Sequence, residues 1–530
     1  MMTRKYLNLR FIIILMLYII GLFHWCLFLN YGKPAYIHTD WPWYYQSIDV
    51  LKQFFVSGDI PYHATLFAGD TIDSSMFGSA RFFSNPYVPV MVPQVFLLNF
   101  ISVKTFMTFQ LLLFYSISFL GVCLWIKKLN LETSSAVFLL ILFHFSGNLT
   151  SRVGGQTMQM SLGHMLIPLY YWIMYKFIEK ENVSRHENIK GMLGLSFFFF
   201  LLLMNEGIHV FYQMALVGFS VLVFYYKRIV WFIGGASIAV IYNTCFILPI
   251  LLTNDSLRGA FPPVGHWRRS GIFGYGFQNG DSGAPLLTYS RDMPLIKNIL
   301  ALPINILNHI WEGLTRSFNA AHTNVWEYNL YVSYLGVLLI VGSIVAVFFK
   351  YRPFNKNTLK QNRYLLGTII VVLLAIGPFN RMMIQALQSI KMFNPIDAIP
   401  SRLMNYPFTL TILIASLSFD NMFKIFPDKV GTWAKWSALS VLLAILMKHS
   451  YSWWLVNAQA DVVHSLNDWN PRVFKTVIYN NVNDSFYKRV VNISYISSII
   501  TISCGGIYYL RLIFSNSGKK RIKDDGQKSL

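Results

Sequence analysis

The chain has 530 residues, of which 55% are hydrophobic, 17% aromatic and only 13% charged, with a mean hydropathy of +0.45. No soluble domain of this length needs so much apolar surface, so the soluble enzyme classes are excluded. The net charge of +21 does not argue for nucleic acid, because the basic residues gather at the ends of apolar runs, where topology signals stand.

The first element is the apolar run "FIIILMLYIIGLFHWCLFL" (11–29), preceded by Arg4, Lys5 and Arg10. It resembles a secretory leader but lacks a small-residue cleavage site, and it reads as an uncleaved first span. The long polar segment 30–104 follows, opening with "HTDWPWYY" (38–45). Beyond it, Tyr44, Ile48, Leu51 and Phe55 repeat at helical spacing and form one apolar stripe, with Gln46, Asp49, Lys52 and Gln53 opposite. This pattern predicts a helix lying in the membrane surface, anchored by Trp41, Trp43 and the tyrosines. Asp40 stands at its N-terminal end with Pro42 in the first turn. An N-cap accounts for Asp40 structurally; a general base taking a proton from an acceptor hydroxyl accounts for it chemically. The two roles are compatible.

Further spans are expected near 105–126, 133–148, 157–178, 191–206, 208–226, 229–252, 331–350, 364–379, 404–419, 436–453 and 491–512. The whole is an all-α polytopic membrane protein with about twelve transmembrane helices. With the N-terminus inside, Lys127 and Lys128, Arg185 and Lys190, Lys227 and Arg228, the run 350–363, Lys424, Lys429 and Lys435 all fall on the cytoplasmic side. The short outer turns carry almost no basic residues, Arg152 being the exception. Both termini are therefore expected in the cytoplasm, including the basic tail 513–530. The long segments 30–104, 253–330, 380–403 and 454–490 all face outward, and long segments gathered on one face usually carry function.

No phosphate-cradling loop, metalloprotease motif or paired-cysteine motif is present. Cys26, Cys123, Cys245 and Cys504 lie in or beside apolar runs and read as ordinary small residues. If the outer face performs chemistry, its activated substrate must be available there, and a lipid-linked donor that has crossed the bilayer meets that condition.

Candidate side chains for such chemistry can be ranked against their ordinary uses. Asp49 is spaced to pair with Lys52 on the helix surface, and Asp59 sits in a turn sequence, "SGDIP". Asp70 and Asp73, in "FAGDTIDSS", are candidates for a second carboxylate or a metal ligand, or else turn-formers. Arg81 and Arg402 stand near span ends on the outer side, where a guanidinium either grips a phosphate or snorkels toward headgroups; Arg268 and Arg269 are weaker. His164, Glu206 and His209 lie close to outer span ends, where a polar residue is costly unless it has a task or a wet turn. Trp41 and Trp43 can both anchor the helix and stack on sugar rings, whereas Trp453 and Trp454 read as interfacial belt.

One short cytoplasmic N-terminus, one span, and a long outer segment with an early Asp and an in-plane helix resemble the GT-C superfamily of membrane glycosyltransferases. More narrowly, "HTD" (38–40), "ARFFSNPYVPVMVPQVF" (80–96), "SLGHMLIPLYYW" (161–172) and "FNPIDAIPSRLMNYP" (393–407) are similar to the bacterial YfhO-like branch. The resemblance implies sugar transfer from a polyprenyl-phosphate-linked donor to a cell-envelope glycan or glycolipid, on the outer face of the bacterial cytoplasmic membrane. It makes Asp40 the catalytic base, and it brings His164 beside Arg402, Arg81, Trp41 and Trp43 as a substrate-binding residue. Several families of the class carry paired acids where this chain has "HTDW", so neither the second acid nor a divalent cation as cofactor is fixed by the motif. Two rivals remain: a flippase of lipid-linked glycans, which would more often show inverted repeats, and a surface-polysaccharide polymerase or ligase, which only its chemistry would separate.

Overall fold

The structure, a computed structural model, describes residues 2–28, 41–64, 81–84, 92–155, 158–178, 184–205, 208–222, 225–253, 311, 313–317, 329–351, 404–459, 478–479 and 482–526. Among these residues the fold is helical, with only two isolated β-bridges. In chain order the helices are α1 (Met2–Phe28), α2 (Trp41–Ser57), α3 (Val103–Lys128), α4 (Thr133–Phe145), α5 (Gly147–Gly155), α6 (Met158–Met165) and α7 (Ile167–Ile178). They continue with α8 (Arg185–Met204), α9 (Ile208–Leu222), α10 (Tyr226–Tyr242), α11 (Thr244–Thr253) and α12 (Ser333–Tyr351), and end with α13 (Asn405–Ser416), α14 (Phe419–Met422), α15 (Asp428–Gln459) and α16 (Ser485–Gly526).

Six helical stretches are long and apolar enough to cross a membrane: Leu9–Phe28, Val103–Lys128, Thr133–Val153, Arg185–Met204, Asp428–Trp454 and Ser485–Phe514. Two bent pairs, α10 with α11 and α13 with α14, bring the number to 8 if each crosses once. The chain is therefore a helical membrane protein, with six to eight such spans among the described residues where about twelve were expected. The differences have physical causes. The expected span 157–178 is divided into α6 and α7, with the break at Leu166 just before Pro168. The expected span 229–252 is divided at Asn243, where α10 ends and α11 begins at a 66° bend. The expected span 364–379 lies outside the described residues.

Helix packing sorts the basic termini to one end of the bundle. α3 and α7 run parallel: Gly121 lies against Leu169, and the Lys128 ammonium sits 4.9 Å from the Tyr175 ring centre. The stretch made of α4 and α5 also runs parallel to α15, tied at one end through Asp420 and at the other by Thr150 of α5 and Ser450, whose hydroxyls are 2.8 Å apart. The Asp420 carboxylate is buried at the start of α4. It accepts from the Ser134 and Ser135 hydroxyls and from the Ser135 N–H, and pairs with Lys435 at 2.6 Å. Position and partners reinforce each other, since the N-terminus of a helix attracts a negative charge. Arg228 donates to Asn188 at the same end, joining α10 to α8.

The tail continues as helix through Gly526, so α16 projects well beyond its apolar part. Arg152, counted among the outer-turn residues, is instead fully buried on α5. All four cysteines are free; Cys245 is buried and Cys504 exposed on the apolar α16.

Candidate functional site

The segment that carries Asp40 is bracketed by two anchored helices. On its N-terminal side, α1 ends in His24, Trp25 and Phe28, all buried; the His24 ring meets that of Phe145, the last residue of α4, edge-to-face with centres 5.4 Å apart. On its C-terminal side, Trp41 opens α2, and Tyr44 donates its hydroxyl proton to Gln110 Oε1 at 2.5 Å. Gln110 donates in turn to Asn205 Oδ1 at 3.3 Å, and Gln94 donates to the same oxygen at 2.6 Å. This relay fastens α2 to the first turns of α3 and to the C-cap of α8, one residue before Glu206.

The polar side of α2 is only partly open: Asp49, Lys52 and Gln53 are half-buried. The stripe Tyr44, Ile48 and Leu51 is buried as expected, but so are Gln46, Ser47 and Val50 from the other faces. From Tyr44 to Leu51 most side chains of α2 are thus enclosed by protein, and Gln46 is a buried polar residue rather than a solvated one. Lys52 likewise does not serve Asp49. Its ammonium donates to the carbonyls of Leu98 (3.1 Å) and Ile101 (2.8 Å), closing the end of a 3-10 turn at Pro93–Asn99, while Asp49 accepts from Gln53. Asp59 is in a turn as read, following Gly58 at φ +78°.

Arg81 is committed to protein. Its Nε donates to Asp484 Oδ2 at 2.6 Å, its Nη1 donates to the Thr253 carbonyl at 2.6 Å, and the guanidinium lies 5.5 Å from the Tyr487 ring centre. His63 Nε2 approaches the same Asp484 oxygen at 3.4 Å. Backbone bonds from Phe82 N–H to the Tyr62 carbonyl and from Tyr479 N–H to the His63 carbonyl hold three short extended pieces together here. Burial alone would raise the Asp484 carboxyl, but Arg81, the Tyr487 N–H and His63 together outweigh it and hold the group below the usual carboxylate range. Burial pushes the His63 imidazole below its ordinary value, only partly offset by Asp484. Arg81 therefore reads as a tie between the segment that follows α2 and α16.

His164 is buried on α6. Trp41 and Trp43 stand in the first turn of α2. Asp40, Asp70, Asp73, Glu206, Arg268, Arg269 and Arg402 lie outside the described residues, and no group of three or more His, Cys, Asp or Glu side chains fit to hold a metal occurs among the described ones.

A second polar region lies where α4 gives way to α5. Ser146 adopts an extended backbone (φ −66°, ψ 157°) and breaks the helix, and the Gly147 N–H donates to the Tyr331 carbonyl at 2.8 Å instead of continuing the helical ladder. Residues 329–332 reach this break as an extended piece, held by Leu330 and Val332 N–H bonds to the carbonyls of Gly313 and Leu314. From α15, the His449 ring packs at a tilt against Tyr331 with ring centres 4.3 Å apart, and its Nδ1 lies 2.8 Å from Ser317 Oγ. Trp453, read as interfacial belt, is instead fully buried one turn beyond His449. Sequence reasoning passed over Ser146, Asn329 and His449; the signal available was a serine–glycine–asparagine run inside a hydrophobic span.

No family model matches this chain, and no curated protein or solved structure matches it.

Proposed function

We propose that the chain is a GT-C-type membrane glycosyltransferase that moves a sugar from a polyprenyl-phosphate-linked donor to a cell-envelope glycan or glycolipid, with both termini in the cytoplasm. The observation that carries this reading is the double anchoring of the Asp40 segment. His24, Trp25 and Phe28 fix its start and the Tyr44–Gln110–Asn205 relay fixes its end, at the same end of the bundle as the break at Ser146. A general base works only when held within hydrogen-bond reach of the proton it takes, and a segment fixed at both ends suits that demand. In this reading Asp40 removes the proton from an acceptor hydroxyl. The acceptor oxygen then bonds to the anomeric carbon, and the bond to the lipid phosphate breaks, its electrons leaving with the phosphate. Arg402 holds that phosphate, and Trp41 and Trp43 face the sugar. Asp70 and Asp73 remain the candidates for a second acid.

The test is Asp40→Asn, because asparagine caps a helix about as well as aspartate and leaves the fold intact. Transfer from polyprenyl-phosphate sugars by purified protein should fall about 10²–10⁴-fold, with melting close to the parent. Asp49→Asn, on the same helix, should cost little. Parent-rate transfer in both variants would retire Asp40 as the base. A protein that consumes no lipid-linked sugar but carries a labelled lipid across a liposome membrane is a flippase.

A further inference from the structure

We propose that the break between α4 and α5 forms a pocket for an uncharged, hydroxyl-rich group, the sugar part of the substrate; this rests on the transferase reading. Five polar atoms there have no hydrogen-bond partner among the described residues: Ser146 Oγ, Asn148 Oδ1, Asn329 Nδ2, His449 Nε2 and Trp453 Nε1. None of these residues is more than 3% exposed. Buried polar groups are almost always satisfied, and in a membrane protein the requirement is stricter still. Five open valences around one helix break therefore indicate a site that something polar enters.

The chemistry of the set selects the ligand. Asn329 Nδ2 and Trp453 Nε1 only donate, Asn148 Oδ1 only accepts, and the Ser146 hydroxyl does both. His449 Nε2 takes either role, because Ser317 Oγ can donate to Nδ1 or accept from it. Such a mixture suits hydroxyl groups, which also both donate and accept, and none of the five atoms carries a charge suited to a phosphate. A β-carbon on Gly147 would fall 2.9 Å from both Asn329 Oδ1 and His449 Nε2, so glycine is what lets these two groups stand side by side over the backbone. Tyr331 and Trp453 add aromatic surface at the same place, as sugar sites require. Non-helical backbone at membrane depth is tolerated only where it is buried in protein or lines a cavity, and Ser146 and residues 329–332 are non-helical and buried.

The experiment compares binding of bare undecaprenyl phosphate with undecaprenyl phosphate carrying glucose, galactose or N-acetylglucosamine, using the full chain in lipid nanodiscs. The parent should bind at least one sugar-bearing lipid about tenfold more tightly than the bare one. Trp453→Phe, which keeps the ring and removes only the N–H, and His449→Phe should each cut that advantage roughly fivefold, the worth of one neutral hydrogen bond. The proposal is overturned if no sugar-bearing form is preferred. It is equally overturned if both variants keep the parent preference and change only the melting temperature, which is the behaviour of a structural pocket filled by water. A transfer assay on the same samples separates the two readings. A preference lost in the variants without any transfer by the parent leaves the pocket standing and removes the enzyme. Transfer with unchanged KM and preference in the variants does the reverse.

Discussion

Asp484 is one carboxylate serving three elements: it binds Arg81, receives the Tyr487 N–H in the first turn of α16, and faces His63. Both titratable partners push the junction in the same direction with pH. A carboxyl whose folded pKa is depressed contributes stability above its unfolded value and loses it as pH falls through the folded one. An imidazole held neutral by burial adds to this: below about pH 6.5 the unfolded chain takes up a proton that the folded chain resists. Lys488 and Arg81 are the cations facing His63, and both disfavour its protonation further. Melting of the detergent-solubilised protein should therefore drop between pH 7 and pH 4. Asp484→Asn should flatten the acid part of that profile and cost about 1.5–3 kcal/mol at neutral pH. An unchanged profile in the variant would show that the junction contributes nothing. None of this was legible beforehand, because Arg81 and Asp484 are 403 positions apart and each alone looks like an ordinary residue near a span end. Asp59 shows the opposite case: the end of α2 at Gly58, with φ +78°, and the Asp59 N–H bond to Ser57 Oγ have local causes.

Elements were legible to the extent that hydropathy alone decides them. α1, α3, α8, α15 and α16 stand where apolar runs placed them, since a span needs only length and the absence of charge. The division of α4 from α5 was not foreseen, because Ser146 and Gly147 look like the end of a span when the bond from Gly147 to Tyr331 is unknown. The burial of α2 was missed for a related reason: its stripe is amphipathic, and nothing in its own residues reveals that the carbonyls of Leu98 and Ile101 take Lys52 on its polar side or that Gln110 takes Tyr44 on its apolar one. Contacts between elements rest on small residues. A β-carbon on Gly121 of α3 would fall 2.9 Å from the Leu169 backbone nitrogen and 3.1 Å from its Cα, and backbone cannot step aside as a side chain can. Gly121→Leu should separate α3 from α7 and destabilise the protein by about 1–3 kcal/mol, read as a lower melting temperature. A parent-like melt would mean that the two helices are not held at this distance.

At the scale of the molecule, parallel α3 and α7, and parallel α4 and α15, leave the basic helix ends together and the α2, His63 and Gly147 regions at the opposite end. The transferase reading requires that basic end to face the cytoplasm. Reporter fusions at about residues 185 and 356 should then report cytoplasm, and fusions at about 60 and 290 the outer side. An outside signal at 185 would put Asp40 where no lipid-linked donor is presented. The sequence supplied this two-sidedness through its lysines and arginines, but neither the number of spans nor the enclosed polar groups.

The bond between Arg81 and Asp484 also has a meaning for biogenesis. Membrane helices leave the ribosome in order, and the segment that carries His63 and Arg81 is made long before α16 has been synthesised. Until that last helix inserts, Arg81 and His63 have no Asp484 to meet, and Tyr62 lacks its bond to Asn492. The N-terminal third therefore waits for the C-terminal helix before this junction can close. Closure of this junction is a late step that follows synthesis of α16, and a chain stopped short of α16 never reaches it.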